Sequence, residues 1–133
     1  MTEKELLKKW MEFAQRDLDA AKVLLQKKKH KLMVAFLLQQ TVEKTLKSYY
    51  IFHNKEQPPY IHNLEKLARR AHLIDELSLD DRELLTILEP FYIVTRYPSY
   101  KQELAKELSI ESLKSRLNQC EKLKKWLKEK MKL

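Results

Sequence analysis

Glycine is absent from all 133 residues, and proline occurs only four times. Hairpins and phosphate loops rely on glycine for backbone at positive φ. A β-rich or α/β fold is therefore disfavoured, and a Gly-rich nucleotide loop is excluded. One cysteine, Cys120, leaves no internal disulfide and no Cys-cluster metal site. It falls at core spacing near the end of the chain, where a small buried hydrophobe fits better than a reactive thiol. The histidines His30, His53, His62 and His72 are scattered. Neither His-Glu-x-x-His nor Glu-x-x-His occurs, so the common zinc motif and the di-iron bundle signature are missing. No serine sits in a nucleophile elbow. No metal and no cofactor are expected. Long apolar runs are lacking too, as is a signal-peptide core at the N-terminus. The expectation is a cytoplasmic protein without membrane contact.

What is present is helical in kind. Leu, Lys, Glu and Ala dominate, and 35% of the residues are charged. The length suits one domain over residues 1–133 with a sizeable core. The formal net charge of +8 is compatible with RNA, a nucleotide or an acidic protein partner, and does not choose among them.

Periodicity supplies the elements. Thr2-x-x-Glu5 reads as a capping box. Leu6, Trp10, Phe13, Ala14, Leu18, Ala21, Leu24 and Leu25 then recur at helical steps, and the helix ends around Lys27–Lys29. A second helix runs from about Leu32 to His53. Pro58-Pro59 marks a connector over Asn54–Tyr60. His62 or Asn63 caps a short third helix carrying Ile61, Leu64, Leu67, Ala68 and Ala71, ending near Leu73. Ser78-x-x-Asp81 opens a fourth, with Leu84, Leu85, Leu88, Phe91 and Tyr92 on one face. Pro90 must kink or interrupt it, and Tyr97-Pro98 ends it near Arg96. Ser109 caps a fifth, whose row is Ile110, Leu113, Leu117, Cys120, Leu123, Leu127 and Met131. Four long helices and one short one imply an all-α, antiparallel up-and-down bundle. The basic end, Lys122 to Lys132, reads as a solvated face more readily than a phosphate-contacting one, because acids interrupt it.

One local contradiction stands out. The apolar row of the second helix is Leu32, Ala35, Phe36, Val42, Leu46, Tyr49 and Tyr50, yet Gln39 lies near its centre and Glu43 on its edge. Lys47 follows one turn later. A buried amide or carboxylate is costly unless bonded or paired. Either these groups form an internal polar pair, or the face lines a pocket or a subunit interface. Arg96, freed by the helix break between aromatics, is suited to forking onto phosphate, with Tyr97 and Tyr100 available to stack on a base. An ion pair of Arg96 with Glu43 or Glu89 is the plainer alternative. With His62, these residues are the candidate nucleotide-binding set: Gln39, Glu43, Lys47, His62, Arg96, Tyr97 and Tyr100.

Four pieces, in this order, resemble the HEPN domain family of nucleotide-binding helical bundles. They are Trp10–Leu25 with Ala14, Asp17, Leu18 and Ala21; Phe36-x-x-Gln39-Gln40-x-x-Glu43-Lys44-x-x-Lys47; His62-x-Leu64-x-x-Leu67; and Thr95-Arg96-Tyr97-Pro98. The resemblance implies a five-helix bundle that forms a homodimer. It implies a toxin–antitoxin-like pairing with a minimal nucleotidyltransferase, and binding of a nucleotide or RNA. Some members are metal-independent RNases with a histidine a few residues after the arginine. This chain has no histidine after Arg96, and Tyr97 replaces the usual small polar residue. Cleavage by that mechanism is not expected, and no catalytic residue is assigned. The alternative is an endoribonuclease in which His62 or Tyr100 replaces the missing histidine.

Overall fold

The computed structural model describes residues 1–93, 98–106 and 108–133, with the backbone alone for residues 98–101. Its α-helices are α1 (Glu3–Gln26), α2 (Lys31–Asn54), α3 (Leu64–Arg70), α4 (Leu79–Leu88), α5 (Pro98–Lys106) and α6 (Ile110–Lys130). Short 3-10 turns cover Ile74–Glu76 and Glu89–Ile93. Among the described residues there is no strand.

The expected caps form. Thr2 and Glu5 close the capping box of α1, Asn63 rather than His62 caps α3, Ser78 caps α4 and Ser109 caps α6. The helix C-termini meet the absence of glycine directly. Lys28, His72 and Lys132 adopt left-handed φ of 54°, 57° and 56° just past α1, α3 and α6. The backbone bonds at each are those of a Schellman ending: Lys29 N–H to Leu24 O, Leu73 N–H to Ala68 O, and Leu133 N–H to Lys128 O. Ordinary side chains thus stand where glycine is usual.

Helix directions follow from cross-contacts. Ser48 of α2 bonds Leu7 O of α1 and approaches Met131, while Cys120 of α6 lies against Leu38. Early meets early and late meets late between α2 and α6, so these run parallel. Lys22 pairs with Glu121, whereas Lys8 lines a groove with Lys128, so α1 runs against α6. Lys130 reaches Glu76 just before α4, and α4 rises from there towards Ala35 and Leu113. The long elements therefore alternate in direction around one core, as the sequence led us to expect.

Two details depart from the periodicity. In α1 the buried row is Leu7, Met11, Ala14, Leu18, Ala21 and Leu25; Leu6, Trp10 and Leu24 are half-buried, and Phe13 is exposed beneath the Arg16 guanidinium. The second is α2, which touches α1, α3, α4, α5 and α6. A helix surrounded on every side buries more than one stripe. Thr41, Thr45 and Ser48 are buried beside Val34, Leu38, Val42, Leu46 and Ile51. Thr41 and Thr45 each donate to the carbonyl four residues back, so their burial leaves no hydroxyl unpaired. Pro90 acts as expected. Regular α-helix stops at Leu88, and the chain tightens into a 3-10 turn through Glu89–Ile93. Helix α5 is an addition to the elements read from periodicity, and Ile61 precedes α3 rather than joining it.

Candidate functional site: a polar cluster on the central helix

The connector after α2 builds the site. Asn54, at the end of α2, donates to Arg70 O at the end of α3, so α2 and α3 run side by side in one direction. The intervening chain must climb back along α2 before α3 descends. From Asn54 to Glu43 α2 rises about 16 Å at about 1.5 Å per residue, well within the reach of the extended connector. His62 is thereby brought level with Gln39 and Glu43, although 19 residues separate it from Glu43 in sequence.

The cluster is a continuous hydrogen-bonded chain. Gln40 donates to Gln39 Oε1 at 2.7 Å. Gln39 donates to Glu43 Oε1 at 3.2 Å, and the same amide approaches the His62 carbonyl at 3.4 Å. Lys47 donates to Glu43 Oε2 at 3.2 Å. His62 Nδ1 lies 3.1 Å from Glu43 Oε1. A carboxylate only accepts, so Nδ1 is the donor in this contact and neutral His62 carries its lone pair on Nε2.

Burial grades along the chain. The side chains of Glu43 and Lys47 are 5% and 7% exposed, and that of His62 is 50% exposed. The acid and the amine neutralise each other inside the bundle, while the His62 imidazole and the half-buried Gln40 lie at its solvent-facing ends. Lys47 also lies over the Trp10 ring, 5.3 Å from its centroid. His62 stacks on Tyr92 with ring centroids 5.3 Å apart and planes 18° apart. Tyr92 is delivered by the 3-10 turn that Pro90 enforces. Glu89 of the same turn accepts from Leu64 N–H at 2.7 Å, tying the start of α3 to the end of α4. Burial pushes the Glu89 carboxyl above the usual carboxylate range, while the Leu64 N–H opposes this. The charge of Glu43 raises it further and His62 draws it back.

Of the nominated residues, Gln39, Glu43, Lys47 and His62 therefore meet. Arg96 and Tyr97 lie outside the described residues, as does the Tyr100 side chain. Gln40, Tyr92 and Trp10 join the cluster without having been nominated. Gln40 is legible in the sequence as half of the Gln39-Gln40 pair, whereas Tyr92 reads there only as an apolar position. Cys120 is 1% exposed, and burial pushes its thiol far above the usual value. Among the described residues, no group of three or more His, Cys, Asp and Glu is placed to hold a metal ion. No helix there is long and apolar enough to cross a membrane.

A central helix whose buried Gln, Glu and Lys meet a histidine from a returning connector defines an all-α bundle with an internal polar site. The chain belongs to the HEPN domain family: the HEPN domain model matches residues 7–130. Membership ties it to nucleotide- or RNA-related function in general. The fold is similar to the crystal structure of TT1696 from Thermus thermophilus, with a TM-score of 0.76 and 22% identity. The match covers 93% of this chain and 97% of that one, and at this identity it speaks for the fold alone. Among curated proteins, none matches the sequence.

Proposed function

We propose that this is a homodimeric HEPN protein that binds a nucleotide or polynucleotide at the mouth of the Gln39–Glu43–His62 cluster. The observation that carries the reading is the Glu43–His62 contact: a buried, Lys47-neutralised carboxylate fixes a half-exposed imidazole whose other edge has no hydrogen-bond partner among the described residues. Tyr92, stacked on His62, extends an aromatic surface on which a base can lie. In this reading Gln39, Glu43 and Lys47 hold the site in shape from within. Arg96 supplies the phosphate fork, and Tyr97 and Tyr100 flank it. A minimal nucleotidyltransferase is the proposed partner, in a toxin–antitoxin-like pair.

Titration of ATP, GTP and a short RNA against the wild type, Arg96→Ala and His62→Ala tests the assignment. We expect both variants to lose at least one order of magnitude in affinity, on the order of 1.4 kcal/mol. Equal affinity in all three proteins, or no binding by any of them, sinks it. Co-purification with a neighbouring nucleotidyltransferase tests the partner.

A second reading rests on the same contact. A carboxylate that orients a histidine is also the arrangement used to prepare a general acid–base. An endoribonuclease with His62 in place of the missing motif histidine would cleave RNA in chelator. Cleavage abolished by His62→Ala and weakened by Glu43→Gln would put this reading first, and no cleavage by the wild type would remove it.

A further inference from the structure

Helices α1 and α6 leave a shallow furrow on the side of the bundle that the central helix does not reach. Lys8 on α1 and Lys124 and Lys128 on α6 line a hollow of about 380 Å³. Lys124 and Lys128 also line a neighbouring hollow of about 290 Å³, together with Lys122 and Lys125. Because α1 runs against α6, these cations form a track and not a ring. On α1 the lining residues run from Lys8 to Leu18, about 15 Å at about 1.5 Å per residue.

The acids nearby offset the track only in part. Glu12 lines the first hollow and Glu121 the second, and Asp19 lies close by. Five lysines line the two hollows against the two carboxylates of Glu12 and Glu121, and Glu121 is held by Lys22 at 2.9 Å. Among the described residues, none of Lys8, Lys122, Lys124, Lys125 or Lys128 has a carboxylate within ion-pair distance. Burial, and then the charge of Lys128, lower the Lys124 ammonium below the usual lysine value, with Asp19 opposing. Lysines crowded along a partly buried furrow repel one another, and a polyanion relieves that repulsion.

We propose that the α1–α6 furrow is a second docking track, which holds the phosphate backbone of single-stranded RNA without reading its sequence. The floor argues against an amphipathic acidic helix as occupant. Met11 is only 7% exposed and Leu18 only 2%, so neither opens a deep apolar socket for an anchoring side chain, and the lysine stems supply part of the lining. The track contains no arginine among its described lining residues and no aromatic ring, so it has neither a fork for base edges nor a stacking platform. Flexible ammonium groups suit phosphates at variable spacing. The proposal rests on the polynucleotide form of the function given above, but on different residues.

The test uses the full chain, a short oligouridine and ATP, across a series of salt concentrations. Engagement of Lys8, Lys124 and Lys128 gives a log–log salt slope of about −2 for a single strand, and Lys124→Glu/Lys128→Glu should flatten it by about 1.4. The double variant should bind the RNA at least roughly tenfold more weakly at low salt, keep wild-type affinity for ATP, and keep the helical spectrum and Tm. Glu12→Lys should bind the RNA more tightly than wild type. Wild-type RNA affinity and slope in the double variant would overturn the track and leave the Glu43–His62 site standing. A wild type that binds ATP but no RNA would do the same. Displacement of the RNA by a polyglutamate peptide of equal charge would assign the furrow to an acidic protein and overturn the RNA assignment.

Discussion

At the scale of single residues, Glu43 has the most at stake. It accepts from Gln39, Lys47 and His62. Replacing it by Ala leaves a Lys47 ammonium that is 7% exposed without its carboxylate, with the Trp10 ring face beside it. Breaking a buried pair from one side costs about 3–5 kcal/mol. Glu43→Ala should therefore lower stability to urea by roughly that amount, whereas Glu43→Ala/Lys47→Met should recover part of it. Equal losses in the single and double variants would mean that the pair contributes packing and not charge compensation. The half-exposed His62 is the opposite case. His62→Ala removes little from the core, so its effect should be seen in binding and not in folding.

Within the helices, the missing glycines have a local consequence. Lys28 ends α1 at the left-handed position of a Schellman motif, with φ of 54°. A residue with a Cβ in that conformation costs roughly 1 kcal/mol, which glycine avoids. Lys28→Gly is thus expected to raise ΔG of unfolding by about 0.5–1 kcal/mol, read as a higher urea midpoint at unchanged m-value. A lower midpoint would show that the greater freedom of glycine in the unfolded chain outweighs the relieved strain. The Pro90 turn matters in a different way. By ending α4 at Leu88 it turns Glu89 towards Leu64 N–H and Tyr92 towards His62. A regular helix continued through this stretch would aim the two side chains elsewhere, since the 3-10 turn has a different angular step.

For the whole molecule, α2 is the axis around which the other helices pack, and its interior polar groups belong at once to the core, the candidate site and the family signature. The proposed homodimer is checked by sedimentation at micromolar concentration. A mass twice that of the chain is expected, and a monomer at every accessible concentration would remove the dimer from the proposal. The cationic furrow lies between α1 and α6, whereas the His62 cluster faces α3 and the Pro90 turn. The two proposed sites, on different sides of one bundle, would let a strand be held by its backbone in one place and read in another.

The sequence by itself determined the helical class, because no glycine and sustained three- and four-residue steps leave few other ways to bury this much leucine. It also determined the caps of α1, α4 and α6, the break at Pro90 and the buried row of α6, since each depends on neighbours within a turn or two, whereas for α3 it left His62 and Asn63 both open. Gln39, Glu43 and Lys47 were legible as a misfit in an apolar row. Their pairing with His62 was not legible. It depends on the connector doubling back along α2, which no local signal encodes. The rotation of the buried row in α1, from Trp10 and Phe13 towards Leu7 and Met11, was likewise set by where α2 and α6 press on it. Tertiary structure decided these matters because a helix's period fixes which residues share a face, whereas the neighbours that close on the face decide which face is inside.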